Sequence, residues 1–353
     1  MIVYLVNIAL IFLWLIILRP KGSSVNAKIF LFLCFFQIVL ISTLRSSSVG
    51  TDTAGYLRIL NLFVNYDSLI HIRNEHAFLL LMQIVKVFEL NQQWLFFFSS
   101  VIVCVFLYRS IVNFSPIFWL SIFIFITFGF FAQSIHIMRQ FIAMSIFLYG
   151  YKYILNKNII MYALCLLLAF YFHNSVLLVA PIYILGLLKM NKITVFFLIS
   201  LLIASFLFFA GIYTVILNLM PQYAHFHETE RMLRTGGMLT STISFFVALL
   251  GFYVITTRQT DRNFNIQFTI ILVTLIFYIV TIFGYNLIAR IALYLQLFSV
   301  IFIPRCLNMI TNTRARMFFY ASVVICGLFL YVFALITGFG AQDTVPYIFY
   351  FNE

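Results

Sequence analysis

"IVYLVNIALIFLWLIIL", residues 2–18, is a run of apolar side chains interrupted only by Asn7. A helix of about 20 such residues crosses the hydrocarbon core of a bilayer. No basic segment precedes the run and no small-residue cleavage site follows it, so it reads as a first transmembrane helix rather than a removed signal peptide. Runs of the same kind recur along the chain: 64% of the residues are apolar and 8% are charged, against about a quarter charged in soluble domains. The expected fold class is therefore all-α, a polytopic integral membrane protein, with residues 1–353 forming a single membrane domain. Cys34, Cys104, Cys165, Cys306 and Cys326 lie within or at the ends of apolar runs, without the paired spacing of a zinc or redox site. They read as packing residues.

A net charge of +12 would suit nucleic acid in a soluble chain, but in a membrane chain Lys and Arg collect in the cytoplasmic loops. The basic residues fall into clusters: Arg19, Lys21 and Lys28; Arg109; Lys152 and Lys157; Lys189 and Lys192; Arg258 and Arg262; Arg305, Arg314 and Arg316. Stretches long enough for two crossings separate them. Nucleic acid is thus not an expected partner; membrane lipids are. The clusters predict about twelve spanning helices, near residues 2–18, 28–44, 94–110, 114–131, 138–151, 159–171, 175–188, 193–212, 241–257, 264–283, 287–304 and 317–337, with both termini outside. The shorter stretch 76–90, "HAFLLLMQIVKVFEL", carries Lys86 and Glu89 and reads as an amphipathic or re-entrant helix on the outer face, with a thirteenth span as the alternative.

The acids and histidines test this topology, since they play no part in setting it. Asp52, Asp67, Glu75, Glu89, Glu228, Glu230, Asp343 and Glu353 fall outside and only Asp261 inside; all of His71, His76, His136, His173, His225 and His227 fall outside. Titratable chemistry is concentrated on one face. The outer cations are Arg45, Arg58, Arg73, Arg139, Arg231, Arg234 and Arg290, joined by Lys86 alone. A guanidinium holds phosphate or carboxylate with a planar fork of donors that Lys lacks, so a lipid-linked diphosphate suits this face.

"VGTDTAGY", then "NEHAFLLLMQIVKVF", then "IMRQFIAMSIFLYGYKYILNKN" leading into "FHNSVLLVAPIYIL", and later "ARIALYLQLFSVIFIPR" and "VPYIFYF" resemble, in order and spacing, the EpsG family of Wzy-like exopolysaccharide and O-antigen polymerases. The resemblance covers nearly the full length. It implies a glycosyltransferase that joins lipid-linked oligosaccharide repeat units on the outer face of the bacterial cytoplasmic membrane. Undecaprenyl diphosphate is then the leaving group, donor and acceptor are both lipid-linked oligosaccharides, no cofactor is needed, and a chain-length regulator protein is a further expected partner.

Within that frame the outer loops 45–93 and 213–240 are the expected cleft and cover. Asp52 has two readings: a cap or turn residue beside Gly50, or the carboxylate that takes the proton of the acceptor hydroxyl. Glu75 is the rival base and could equally cap the helix after it. His173, in "YFHNSV", is either a histidine satisfied by a backbone carbonyl or a contact to diphosphate or sugar. Arg139 begins a helix on the outer face and Arg290 lies about one turn into a span, where an unpaired guanidinium would cost several kcal/mol; both are expected diphosphate ligands. Arg45 and His136 complete that set, with Arg231 and Arg234 facing substrate from the cover and Gly236 and Gly237 as its hinge. The loose spacing of "HFHETE" does not suit a metal site.

Three alternatives remain open on sequence. A transporter or flippase would show internal repeats or midplane charges, and none stands out. An acyltransferase would need an inner thioester donor to reach His173. A ligase like that of O-antigen shares the donor and differs only in the acceptor.

Overall fold

Lipid offers no hydrogen bonds to a bare backbone, so each apolar run has to satisfy its amides within itself, which a helix does. The computed structural model describes residues 1–22, 24–62, 75–188, 193–197, 199–200, 230–282, 286–338 and 343–352. Among these residues the regular structure is helical, and the only strand-like pairing is an isolated bridge between Arg45 and Phe349. In chain order come α1 (Ile2–Leu18), α2 (Val25–Thr43), α3 (Thr53–Leu62), α4 (His76–Val87), α5 (Gln93–Phe114), α6 (Phe118–Thr127), α7 (Phe130–His136), α8 (Met138–Leu155) and α9 (Ile159–Phe172). A 3-10 helix, Asn174–Ile182, leads into α10 (Tyr183–Leu187). Then follow α11 (Glu230–Thr257), α12 (Arg262–Ile282), α13 (Asn286–Gln296), α14 (Ser299–Met309), α15 (Thr313–Thr337) and a closing 3-10 turn, Tyr350–Asn352.

Several helix starts are set by capping side chains that satisfy first-turn amides. Ser24 accepts from the Ala27 amide, Asn158 from Met161, and Asn312 from Arg314 and Ala315. Five helical stretches among the described residues are long and apolar enough to cross a membrane: Val25–Thr43, Gln93–Phe114, Thr240–Thr257, Arg262–Thr281 and Thr313–Thr337. Two bent pairs raise this to seven if each is one span. The expected count of about twelve is not reached over these residues, for local reasons. The run expected at 114–131 is broken by 58° between α6 and α7, where Gly129 takes a left-handed φ of 84°. The run expected at 287–304 bends by 44° between α13 and α14. That at 175–188 is largely 3-10 and contains Pro181, which has no amide to donate. Much of the stretch 193–212 lies outside the described residues. Helix α4 has 12 residues and rises about 18 Å at 1.5 Å per residue, too short for a thirteenth span of about 30 Å. It buries Phe78, Leu79, Met82 and Val85 and exposes Leu80.

Helix α8 is central, packed against α5 and α9 with most of its side chains buried. Helix α12, packed between α11 and α13, is 72% buried over its most apolar window, whereas α15 is 17% buried and presents its apolar surface outward. Some polar groups within the bundle pair with one another, which offsets the cost of burying them. The Gln37 amide donates to Asn7 Oδ1 at 2.8 Å and accepts from the Trp14 indole at 3.1 Å, joining α1 to α2.

The two ends of the bundle differ chemically. At one, Arg262 donates to the carbonyls of Leu155 and Gly186, Arg305 pairs with Asp261 at 2.5 Å, and the Tyr151 hydroxyl donates to Asn263 Oδ1 at 2.6 Å. At the other, the segment 343–352 folds back on the loop after α2. The Ser46 amide donates to the Ile348 carbonyl at 2.8 Å, Tyr350 to Leu44 at 3.1 Å and Gly50 to Asp343 at 2.9 Å. Thr51 Oγ1 donates to the Asp343 carboxylate, and the hydroxyls of Tyr4 and Tyr347 donate to the carbonyls of Thr344 and Ile41.

Candidate active site

Elements far apart in the chain meet at the end of the bundle that carries this loop. Glu75 occupies the N-cap position of α4, where its carbonyl accepts from the amides of Phe78 and Leu79, both at 3.1 Å. Its side chain does not cap the helix. Instead one carboxylate oxygen pairs with the Arg139 guanidinium, and the other lies 2.5 Å from His173 Nδ1. Glu75 is 7% exposed. A carboxylate so far removed from water requires compensation of this kind.

Arg139 is the second residue of α8, whose start is set by the turn after α7. Its guanidinium lies 5.1 Å from the centre of the Tyr56 ring and 5.9 Å from that of Phe78, so aromatic faces from α3 and α4 flank it. Arg139 is therefore held in a buried ion pair rather than snorkelling from a helix end. His173 stands in extended backbone between α9 and the 3-10 helix, 8% exposed. Its partner is the Glu75 carboxylate, not a backbone carbonyl. With Nδ1 facing the carboxylate, Nδ1 carries the hydrogen and Nε2 keeps its lone pair. That Nε2 is buried and has no hydrogen-bond partner among the described residues. Burial lowers the His173 pKa below the usual imidazole value; Glu75 opposes this and the charges of Arg139 and Arg290 reinforce it. The lowered pKa favours the uncharged ring. The charge of Arg290, on α13, thus reaches His173, and its backbone carbonyl accepts from the Gln140 amide at 3.0 Å, tying α13 to α8. The Ser175 and Tyr294 hydroxyls, 3.1 Å apart, join the 3-10 helix after His173 to α13.

The other expected site residues lie around this cluster. Asp52 directly precedes α3, half-buried, and its carbonyl accepts from the Tyr56 amide at 3.1 Å. It approaches the cluster through Tyr56, the residue beneath Arg139. His136 ends α7 and is buried. Arg45 lies apart: it is 1% exposed, 4.1 Å from the centre of the Phe96 ring, with Nη2 3.2 Å from Met138 Sδ. Burial pushes its guanidinium down to about 10, against the pull of Tyr4, Tyr347 and Tyr56. It anchors the loop from within, with the Gln93 amide donating to its carbonyl at 3.2 Å. Arg231 and Arg234 fall in the first turns of α11, and their side chains lie outside the described residues, as do residues 213–229 of the expected cover. Gly236 and Gly237 stand within that helix rather than in a loop hinge, a placement that glycine tolerates at about 1 kcal/mol each relative to Ala.

Tyr56 and Phe78, the aromatic walls around Arg139, were not among the residues expected from the sequence. Tyr56 closes the quoted "VGTDTAGY" and Phe78 opens the next apolar stretch, but nothing local marks either as facing a guanidinium.

Together the fold and the site define a multi-pass membrane protein with a buried carboxylate–imidazole–guanidinium cluster at one end of its bundle. The chain belongs to the EpsG family, whose family model matches residues 28–349, and this is a bacterial family of Wzy-like polysaccharide polymerases. No curated protein and no solved structure matches it.

Proposed function

We propose that this chain polymerises undecaprenyl-diphosphate-linked oligosaccharide repeat units into surface polysaccharide on the outer face of the cytoplasmic membrane. The observation that carries the reading is the Glu75–Arg139–His173 cluster with Arg290 beside it, at the end of the bundle opposite the Asp261–Arg305 and Arg262 contacts. A sugar linked to a diphosphate already bears its leaving group. The protein must align the acceptor, stabilise the departing charge and accept one proton. Guanidinium groups suit the second task, because their forked donors match phosphate oxygens. Glu75 offsets the charge of Arg139, and Arg290 adds a further cation, so a dianionic group entering between them would meet net positive charge. The polyprenyl chain would lie along the lipid-facing surface and the diphosphate at its edge.

Deletion of the gene tests the function. Surface glycan reduced from long chains to single repeat units supports polymerisation. Long chains that persist as lipid-linked material but fail to reach their final acceptor would instead indicate a ligase.

A further inference from the structure

The cluster contains more than an anion site. Glu75 receives the Nδ1 hydrogen of His173 at 2.5 Å and is itself fixed by Arg139, so one ring nitrogen is committed and the tautomer is set. The other nitrogen, Nε2, is buried with no partner among the described residues. A buried acceptor without a donor is costly, and a substrate hydroxyl would satisfy it. Asp52 is half-buried and precedes a helix whose Tyr56 amide its carbonyl accepts, whereas His173 is flanked by the charged groups that stabilise diphosphate.

We infer that His173 Nε2 is the proton acceptor of the glycosyl transfer, with Glu75 as its positioning residue, an assignment that rests on the polymerase reading above. In the step, the acceptor hydroxyl gives its proton to Nε2 while its oxygen forms the bond to the anomeric carbon. The bond from that carbon to the diphosphate oxygen breaks, and its electron pair leaves with the diphosphate beside Arg139 and Arg290. The imidazolium so formed faces the Glu75 carboxylate, and returns its proton to water or to the departing diphosphate.

The groups that face His173 are Glu75 at the start of α4, Arg139 on α8 and Arg290 on α13. They fix the sign of its pH behaviour. The wild-type rate should fall on the acid side as Nε2 becomes protonated, below the ordinary imidazole range, because burial and the two guanidiniums lower its pKa. Glu75→Gln can still accept from Nδ1 but loses the negative charge that raises this pKa, so its acid limb should move to lower pH.

The test uses proteoliposomes of the full chain, supplied with lipid-linked repeat units extracted from a deletion strain of the host, with elongation followed against pH. His173→Ala should slow elongation about a hundredfold or more, and added imidazole should restore part of the rate. Wild-type elongation with His173→Ala at the same rate overturns the assignment and leaves the polymerase reading standing. Loss in Asp52→Asn with full rate in His173→Ala moves the base to Asp52. Should His173→Ala fail to accumulate in the membrane, the acid limb of Glu75→Gln decides: a limb that does not move overturns the dyad. No elongation by the wild-type chain removes both readings.

Discussion

Arg139→Ala isolates the energetic heart of the cluster. The substitution removes the guanidinium paired with the carboxylate of Glu75, a residue 7% exposed, while the His173 ring stays 2.5 Å from its other oxygen. Removing one member of a buried ion pair costs about 3–5 kcal/mol, because the remaining charge stays uncompensated. Loss of the contacts over Tyr56 and Phe78 adds about 0.5–1 kcal/mol. A deficit of this size lowers a thermal midpoint by on the order of 10 °C, readable by fluorescence on the detergent-solubilised chain. The double variant Glu75→Gln with Arg139→Ala should be more stable than Arg139→Ala alone, since no buried charge is then left without a partner. His173 gives the pH signature. In the wild type its folded pKa lies below its unfolded value, so the unfolded chain binds more protons as pH falls below about 6.5, and stability declines with it. In Arg139→Ala one of the charges holding that pKa down is gone, and a protonated His173 can pair with Glu75. The deficit relative to wild type should therefore shrink as pH is lowered. An unchanged midpoint in Arg139→Ala, or a double variant whose loss is the sum of the two single losses, would refute this account of the cluster.

Four further outcomes are expected. Arg290→Ala should abolish polymer while the protein still inserts in the membrane, and Arg290→Lys should recover only part of it, because Lys supplies charge without the fork; long chains from the alanine variant would remove Arg290 from the site. Ser48→Cys should react with an impermeant thiol reagent in intact cells or spheroplasts and Asn156→Cys should not, a pattern whose reversal would invert the bundle. Gly186→Ala places a methyl group 2.6 Å from the Ile154 carbonyl oxygen, and the forced shift should cost about 1–3 kcal/mol, seen as a lowered midpoint with little effect on the pH profile of any remaining activity. Truncation before Asp343 removes the partners of Ser46, Gly50 and Tyr4 and should abolish polymer even though α15 still inserts; full-length glycan from the truncated chain would show the tail to be dispensable.

Most of the helical architecture is legible in the sequence because it is a local property. Each apolar run states its own helix, and Ser24, Asn158 and Asn312 mark where three of them begin. Breaks within a run are harder to read. Gly129 sits in "TFGFF" with nothing to distinguish it from a glycine tolerated in a continuous span, yet its left-handed backbone turns α6 away from α7. The site is legible by residue type and not by pairing. Glu75, Arg139 and His173 stand out as ionisable groups at the edges of apolar runs, but they are separated by 64 residues from Glu75 to Arg139 and by 98 from Glu75 to His173. Only the packing of α4 and α8 beside the turn after α9 decides that the carboxylate serves both. The cap reading of Glu75 and the backbone-satisfied reading of His173 were each chemically sound alone, and each gave way to the same tertiary contact. Arg45 shows the reverse. Its place next to the Ser-Gly-Thr-Asp cluster suggests a ligand, while the packing of Phe96 and Met138 around it makes it an internal anchor.

That anchor has a consequence in time. The loop holding Asp52 is completed by hydrogen bonds from residues far later in the chain: Thr51 and Asp343 are 292 positions apart, and nearby on α1 Tyr4 is 340 from Thr344. A nascent chain that has already inserted α2, α4, α8, α9 and α13 contains every member of the Glu75 cluster, yet the loop beside it has neither its Phe349 bridge nor its Asp343 contact. The loop therefore closes only once residues 343–349 are in place, and it is the last part of this end of the bundle to assemble.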